Sequence, residues 1–580
     1  MTFKAPSLVA LILTFALLGQ AVFVPAAHAQ KADITEQPSA AQIARFETQL
    51  ESLRQELQIP AYSAAIVKDQ KVVWAKGFGY ADVENKIPAT EHTAYHLASL
   101  TKTFASTILM QLVQEGKIKL DDPVSKYGIT LESNGVIRVR HLFSHTSEGN
   151  PGEQYRYNGN RFAELDKVIE KATGKSFAEL LIANILEPLG MNDTAPNVPK
   201  MVNTKSPNTA GQTAEAEVKA APLGGAMITE KQQQRFDRVS KILAQPYGLD
   251  REFKITKISY PQSFSTAAGL ISTVLDMAKY DIAIDQNKFL NKETQQLAFT
   301  PAVSTRGESL PYGLGWFTQD YKGTKMLWHY GFWTGNSSFI LKVPEQNITF
   351  IIMANSDNLS RPTDLGAGNA LSSAIAMAFL KIFVFPKKFG ASVPEISWNA
   401  PVTELKSQLN STAAKPYGDI YRADLVTKVR ILQSVGRATD STPLMKMYMD
   451  LYSKPLPDDL VKLPVIAQIV QVQDNEDKTV AFNVASSQDV RIFAIGEGQP
   501  GEMFDYGWIE DDKGSRVWEM QEPRTSRAGG AGKNRQIDVV ITLPAGNYKL
   551  RYKSDDSHSF DHWNALPPDI NFWGIAVYKK

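Results

Sequence analysis

Two widely separated stretches of this chain carry complementary patterns, and together they constrain its architecture more than any other feature. Near the start, Ile43, Phe46, Leu50, Leu53 and Leu57 recur at three- and four-residue steps, the apolar stripe of a helix that Pro60 ends. Ala61 to Val67 and Lys71 to Gly79 follow as two strands around Asp69-Gln70, a hairpin. Far downstream, Ser338 to Val343 and Ile348 to Met353 read as two more strands, and Leu371 to Phe385 as a buried amphipathic helix interrupted by Lys381. A helix and hairpin at one end, with strands and a helix at the other, predict one antiparallel sheet shared by both ends. Helices flank it and a mostly helical insert separates its halves, which makes the fold α+β.

The 580 residues exceed one ordinary core. From Pro386 to about Pro416 the chain turns to Pro, Ser, Lys and Asn, a linker. Asp419 to about Val472 reads as helical, with Leu425, Val429 and Leu432 on one face. Val480–Val484, Val490–Ile495, Ile537–Leu543, Tyr548–Tyr552 and Ile575–Tyr578 are short strands between turns such as Asp512-Lys513-Gly514, the spacing of a small β-sandwich. The expected division is therefore 30–385, a linker and helical segment at 386–475, and a C-terminal sandwich at 476–580.

Residues 1–29 read as a signal peptide: Lys4 precedes an apolar stretch from Leu8 to Val24, and Ala27-His28-Ala29 is an A-x-A cleavage site. A periplasmic or secreted protein is expected. Later segments fall short of the ~18 uninterrupted apolar residues of a membrane span. Cysteine is absent, which excludes disulfides, thiol nucleophiles and Cys-ligated zinc. Lys+Arg total 62 against 61 Asp+Glu, so no basic excess points to nucleic acid.

The chemistry concentrates in His96-Leu97-Ala98-Ser99-Leu100-Thr101-Lys102, where a helical run begins that ends near Gly116. Residues three apart share a helix face, so the Lys102 amine falls beside the Ser99 hydroxyl. A serine hydroxyl needs a neighbouring base to become a nucleophile, and a lysine kept partly dry has a lowered pKa suited to that task. Taken alone, S-x-x-K is equally the pattern of an exposed Ser and Lys on a helix face.

Further fragments narrow the reading: His141-Leu142-Phe143-Ser144-His145-Thr146-Ser147, Tyr155-Arg156-Tyr157-Asn158, Glu187-Pro188-Leu189-Gly190-Met191, Ala268-Gly269-Leu270-Ile271-Ser272-Thr273, Tyr312-Gly313-Leu314-Gly315-Trp316 and His329-Tyr330-Gly331. In this order they resemble the serine β-lactamase-like family of class C β-lactamases, low-molecular-weight penicillin-binding proteins and related esterases. The resemblance covers roughly residues 40–385 and implies an active site between the sheet and the helical insert. It makes Ser99 the acylated nucleophile, Lys102 its partner base and Tyr157 a proton relay to Ser99 and the leaving group, with either Lys102 or Tyr157 taking the first proton. His329 and Gly331 take the place of the family's K-T-G or H-x-G, and the backbone N–H groups of Ser99 and Phe332 would form the oxyanion hole. Two departures stand out. Gly159 occupies the asparagine position of Y-x-N, leaving Asn160 to reach substrate by a one-residue shift, and His329 replaces a lysine. Losing a fixed ammonium weakens the hold on a substrate carboxylate. The expected activity is therefore an exported serine hydrolase on esters or D-amino-acid amides. DD-carboxypeptidase or β-lactamase action, with peptidoglycan as a partner, and a non-catalytic cleft-binding scaffold are the alternatives.

No metal or cofactor is expected at this site. His141 and His145 are four apart, but Leu142 stands where a zinc protease carries Glu. No G-x-S-x-G occurs, so an α/β-hydrolase elbow is missing. Asp555-Asp556-Ser557-His558-Ser559-Phe560-Asp561-His562-Trp563 could hold a cation, and Trp508, Trp518 and Trp573 could stack on sugar. A polar loop and sandwich-core aromatics is the preferred reading of that region.

Overall fold

The computed structural model describes residues 37–197, 230–411 and 414–580. The expected signal peptide lies outside the described residues. Helix α1 (Ala40–Glu56) opens on a capping box, Ser39 and Gln42 each satisfying the other's backbone N–H. Strands β1 (Ala61–Lys68) and β2 (Lys71–Asp82) follow. Their turn residues Asp69 and Gln70 have φ of +51° and +62°, the left-handed pair that a tight hairpin requires. The sheet continues with β3 (Ile87–Pro88), then far downstream β4 (Phe317–Tyr321), β5 (Thr324–Trp333), β6 (Asn336–Val343) and β7 (Ile348–Ala354). Its order is β3-β2-β1-β7-β6-β5-β4, antiparallel throughout, so the two distant ends of this region meet at the β1–β7 pairing.

Every residue of β1, β6 and β7 is buried, because both faces are covered. The period-two alternation sends Ala64, Ile66, Phe350 and Ile352 toward Phe46 of α1 and Phe379 of the helix Ala374–Phe379. Phe46 meets Phe350 edge-on at 5.4 Å, and Phe350 stacks on Phe379 at 5.1 Å. The alternate residues Ala65, Val67, Ile351 and Met353 face Phe104 and Ile108 of α2 (Thr101–Gln114) and Met277 of α3 (Val274–Asp285). On that face the buried Lys342 amine joins Asp281, lies 2.9 Å from Asp285 and donates to Thr349, tying β6 to α3. A small sheet of Tyr95–His96, Leu270–Ser272 and Ala195–Pro196 brings together chain segments far apart in the insert.

The stretch read as a linker contains a helix, Val402–Asn410, which packs Leu405 and Leu409 into the core. Helices Gly418–Ser434 and Ala438–Tyr452 follow, as expected. Val465–Val470, read as the tail of the helical segment, is instead a strand, β8, paired antiparallel with the last strand of the chain. After it come β9 (Asp477–Val484), β10 (Gln488–Gln499), β11 (Glu502–Asp511), β12 (Arg516–Glu519), β13 (Asn534–Leu543), β14 (Gly546–Lys553) and β15 (Gly574–Lys579). The order is β8-β15-β10-β11-β14-β9, with β13 also on β10 and β12 on β11. Strands β8 and β9 stand at opposite ends of that order yet touch, so the sheet folds over its own core. Trp563 and Trp573 are buried there, as core aromatics. Asp569 anchors the domain to the helices, accepting from Arg422 at 2.8 Å and from the Tyr448 hydroxyl at 2.9 Å.

Candidate active site

The residues before α2 are held in an unusual path. Leu97 donates its N–H to Leu270 O at 2.8 Å, and Ala98 follows at φ +47°, a left-handed conformation costing a residue with a Cβ roughly 1–3 kcal/mol. The Ala98 N–H donates to Nδ1 of buried His96 at 3.0 Å, and the Thr101 hydroxyl donates to Ala98 O at 2.7 Å. These two bonds stabilise the bend. Its effect is exposure: from Thr93 through Met110 every residue is buried except Ser99, which alone reaches solvent.

The Lys102 amine lies 2.9 Å from the Ser99 hydroxyl and 2.9 Å from the carbonyl of Ala267. It is fully buried and sits 5.1 Å from the ring centre of Tyr157 and 5.3 Å from that of Phe162. Among the described residues no carboxylate pairs with it, so burial acts unopposed and lowers its pKa to about 7. The carbonyl can only accept, so one N–H points at Ala267. In the neutral amine the lone pair is then free to take the proton of Ser99.

Tyr157 stacks on Phe317 at 6.0 Å and lies against His145 at 4.3 Å. Its buried hydroxyl has no hydrogen-bond partner among the described residues. Burial, reinforced by Tyr330, pushes its pKa well above the usual tyrosine value, so it stays protonated near neutral pH. His329 is buried on β5, with Nδ1 2.7 Å from Tyr330 O and Nε2 2.9 Å from the Tyr312 hydroxyl. A carbonyl requires the proton on Nδ1, so Nε2 accepts from Tyr312 and both ring nitrogens are committed. Burial and then the Lys102 amine hold His329 neutral, well below the ordinary histidine range.

Gly331 packs so closely on the nucleophile segment that a Cβ would fall 2.0 Å from Leu97 O. Phe332, next along β5, is 43% exposed, with the Arg361 guanidinium 6.0 Å from its ring centre. Asn158 caps the helix Gly159–Ala163 by accepting from Arg161 N and donates to Glu148, while Asn160 is exposed on that helix. A Cβ on Gly159 would lie 3.9 Å from the Lys102 amine. The structure thus brings Ser99, Lys102, Tyr157 and His329 together, sets Gly331 against the Ser99 segment, and leaves Asn160 facing solvent.

Three groups support this site in roles that the sequence does not indicate. Asp166 accepts from Thr266 N at 2.9 Å and so holds the loop whose next carbonyl, Ala267, binds Lys102. Burial raises the Asp166 pKa to about 7. His96 supports the Ala98 bend, and burial lowers its pKa to about 3. His145 accepts from Asn158 N at 3.1 Å, which fixes the start of the Tyr157 segment's cap.

A serine hydroxyl at a helix start beside a buried, unpaired lysine defines the serine hydrolases that work without histidine as base. Residues 46–374 match the model of the Beta-lactamase family, more than half of the chain, and the chain belongs to that family. It is 25% identical over 325 residues to penicillin-binding protein 4* of Bacillus subtilis, covering 49% of this chain and 66% of that one. It is 27% identical over 354 residues to protein flp of Staphylococcus aureus, covering 54% and 62%. The chain therefore spans somewhat under two thirds of the length of these relatives. Among solved structures, the octameric penicillin-binding protein homologue from Pyrococcus abyssi aligns at a TM-score of 0.49 and 24% identity, covering 67% of this chain and 82% of that one.

Proposed function

We propose that this protein is a serine hydrolase acting through an acyl-enzyme on esters or D-amino-acid amides. The observation that carries the reading is the buried, unpaired Lys102 amine 2.9 Å from the one solvent-reaching hydroxyl of its segment. Neutral Lys102 takes the Ser99 proton as Oγ attacks the substrate carbonyl. The backbone N–H groups of Ser99 and Phe332 receive the oxyanion, and one such donor contributes about 3–4 kcal/mol. Tyr157, held protonated by burial, delivers a proton to the leaving group. The Lys102 ammonium returns a proton to Tyr157, and water then attacks the acyl-serine with neutral Lys102 again as base, its proton passing to Ser99 Oγ as the acid leaves.

The choice of substrate follows from His329. Both its nitrogens are engaged and it is neutral, so β5 offers no cation to a substrate carboxylate at that position. The guanidinium beside Phe332, that of Arg361, is already paired with Asp357. An uncharged ester or small amide fits this wall better than a carboxylate-bearing β-lactam. A peptidoglycan stem peptide is the second reading, favoured by the similarity to penicillin-binding protein 4*. Export belongs to the same proposal and rests on Lys4, the apolar stretch and Ala27-His28-Ala29; N-terminal sequencing of the secreted protein tests it by a start at Gln30. Among the described residues no helix is long and apolar enough to cross a membrane.

Short-chain p-nitrophenyl esters, D-Ala-D-Ala peptides and nitrocefin offered to one preparation test the activity, with Ser99→Ala as control. Ester turnover should exceed nitrocefin turnover and vanish in the control. Ligand binding with no turnover above the control would mark a binding protein, and faster nitrocefin hydrolysis would reverse the substrate assignment.

A further inference from the structure

The C-terminal domain carries an arrangement that the hydrolase reading leaves unused. Glu497 on β10 and Asp505 on β11 are direct cross-strand partners. Both are buried, at 5% and 0% exposure. Like charges opposite one another destabilise a strand pair, and burial without a compensating charge adds to the cost. Asp555, just beyond β14, joins them: one carboxylate oxygen from each of the three lies within 4.8 Å of the others. A fourth acid, Asp474, approaches from the β8–β9 connection, whose Asn475 N–H donates to Asp555 O at 2.6 Å.

The hydrogen bonds present do not discharge this cluster. Lys533 reaches one oxygen of Glu497 at 2.9 Å, and its other oxygen, Oε2, is buried with no partner among the described residues. Oδ1 of Asp474 is likewise buried and unpartnered, while Oδ2 lies 3.4 Å from His562. Asp505 accepts from Asp555 N at 2.9 Å and from the Trp573 indole at 3.0 Å, each oxygen keeping a further lone pair. Ser557 turns back onto one oxygen of Asp555 and leaves the other open. Burial accordingly pushes Asp505 up to about 7 and raises Glu497. One lysine faces four carboxylates, and two buried oxygens among them make no bond.

We propose that Glu497, Asp505 and Asp555, supported by Asp474, form a site for a hard divalent cation, with Ca2+ as the favoured ion. Separations up to 4.8 Å between donor oxygens match two ligands on one ion at the 2.3–2.6 Å of Ca–O bonds. The donors are carboxylate oxygens, the set that selects Ca2+ or Mg2+ over the softer metals. The location gives the ion a structural task. Strand β10 changes partner there, pairing with β15 up to Ile495 and with β13 up to Glu497, and with β11 from Glu497 onward. An ion bound to these three chain segments would fasten the corner at which the sheet turns over its core. Among the described residues no other group of three such side chains comes this close. Of these segments, the run Asp555 to Trp563 reads in the sequence as one that could hold a cation; Glu497, Asp505 and Asp474, tens of residues upstream, carry no such signal.

The Trp573 indole bonded to Asp505 supplies a direct probe. Tb3+ added to the metal-stripped full-length protein should give green emission on indole excitation, and Ca2+ should displace it. Glu497→Gln combined with Asp505→Asn should abolish that emission while leaving fluorophosphonate labelling of Ser99 intact. Ca2+ should also raise the melting temperature of the wild type by about 5 °C, a shift the double variant lacks. The isosteric amides relieve the repulsion, so the variant should melt at or above the metal-stripped wild type, which shows that it folds. Equal Tb3+ emission from wild type and variant, or a wild-type melting temperature indifferent to Ca2+, would overturn the proposal and leave shared protons as what neutralises the cluster.

Discussion

Replacing Lys102 by Met should make the protein more stable at pH 7, although it removes the base of the reaction. The buried amine is lowered from 10.5 to about 7, so the folded state disfavours its charged form. Between those two values the unfolded chain binds a proton that the folded chain does not, and wild-type stability therefore rises with pH across that window. Linkage over this interval gives a penalty of about 4 kcal/mol at pH 7, about 2 kcal/mol at pH 9, and a constant value below pH 6. Met fills similar volume without charge but leaves Ala267 O without its donor, a loss of about 1–2 kcal/mol. The variant should thus gain about 2–3 kcal/mol at pH 7 and little or nothing at pH 9. Urea unfolding midpoints of both proteins at pH 5, 7 and 9 measure the difference. A variant less stable at pH 7, or a gap that does not narrow between pH 7 and 9, would mean an amine with an ordinary pKa, and the reasoning behind the base assignment would fail.

Other perturbations follow from the same geometry. Gly159→Asn would bring an amide oxygen to the Lys102 amine, favour its charged form, and move the rising limb of the pH–rate profile upward by about one unit; an unchanged profile would show that residue 159 does not face the amine. Asp166→Ala frees the loop carrying Ala267 and should lower kcat by about tenfold with KM little changed, since the residue acts only through Lys102; a change confined to KM would contradict that role. Lys342→Ala strands the buried Asp281 carboxylate and should cost about 3–5 kcal/mol in urea unfolding, most of it recovered by adding Asp281→Leu; an additive double variant would refute the pairing.

Much of the fold can be read from the chain because its core strands are short-range signals. The stripe of α1, the Asp69-Gln70 turn and the runs Asn336–Val343 and Ile348–Ala354 each report their conformation locally. Val465–Val470 does not: a short apolar run suits a helix or a strand, and here the edge of β15, more than a hundred residues later, decides. Strand β11 was hidden for a related reason, as its acids and Gly507 break the apolar alternation. The helix Val402–Asn410 escaped notice in a stretch dominated by Pro, Ser and Asn. At the cleft, Ser99 and Lys102 were legible because one helical turn separates them. The carbonyl of Ala267 and its support from Asp166 were not, since a backbone acceptor has no residue signature and its loop is placed by tertiary packing.

The most direct test follows fluorophosphonate labelling by intact mass against pH in the wild type and in Ser99→Ala. The rate constant should rise about tenfold per unit below pH 7, level off above it, and yield one adduct that the variant lacks. Label retained by Ser99→Ala, or a rate indifferent to pH from 5 to 9, would contradict the Ser99–Lys102 pair as the reacting centre.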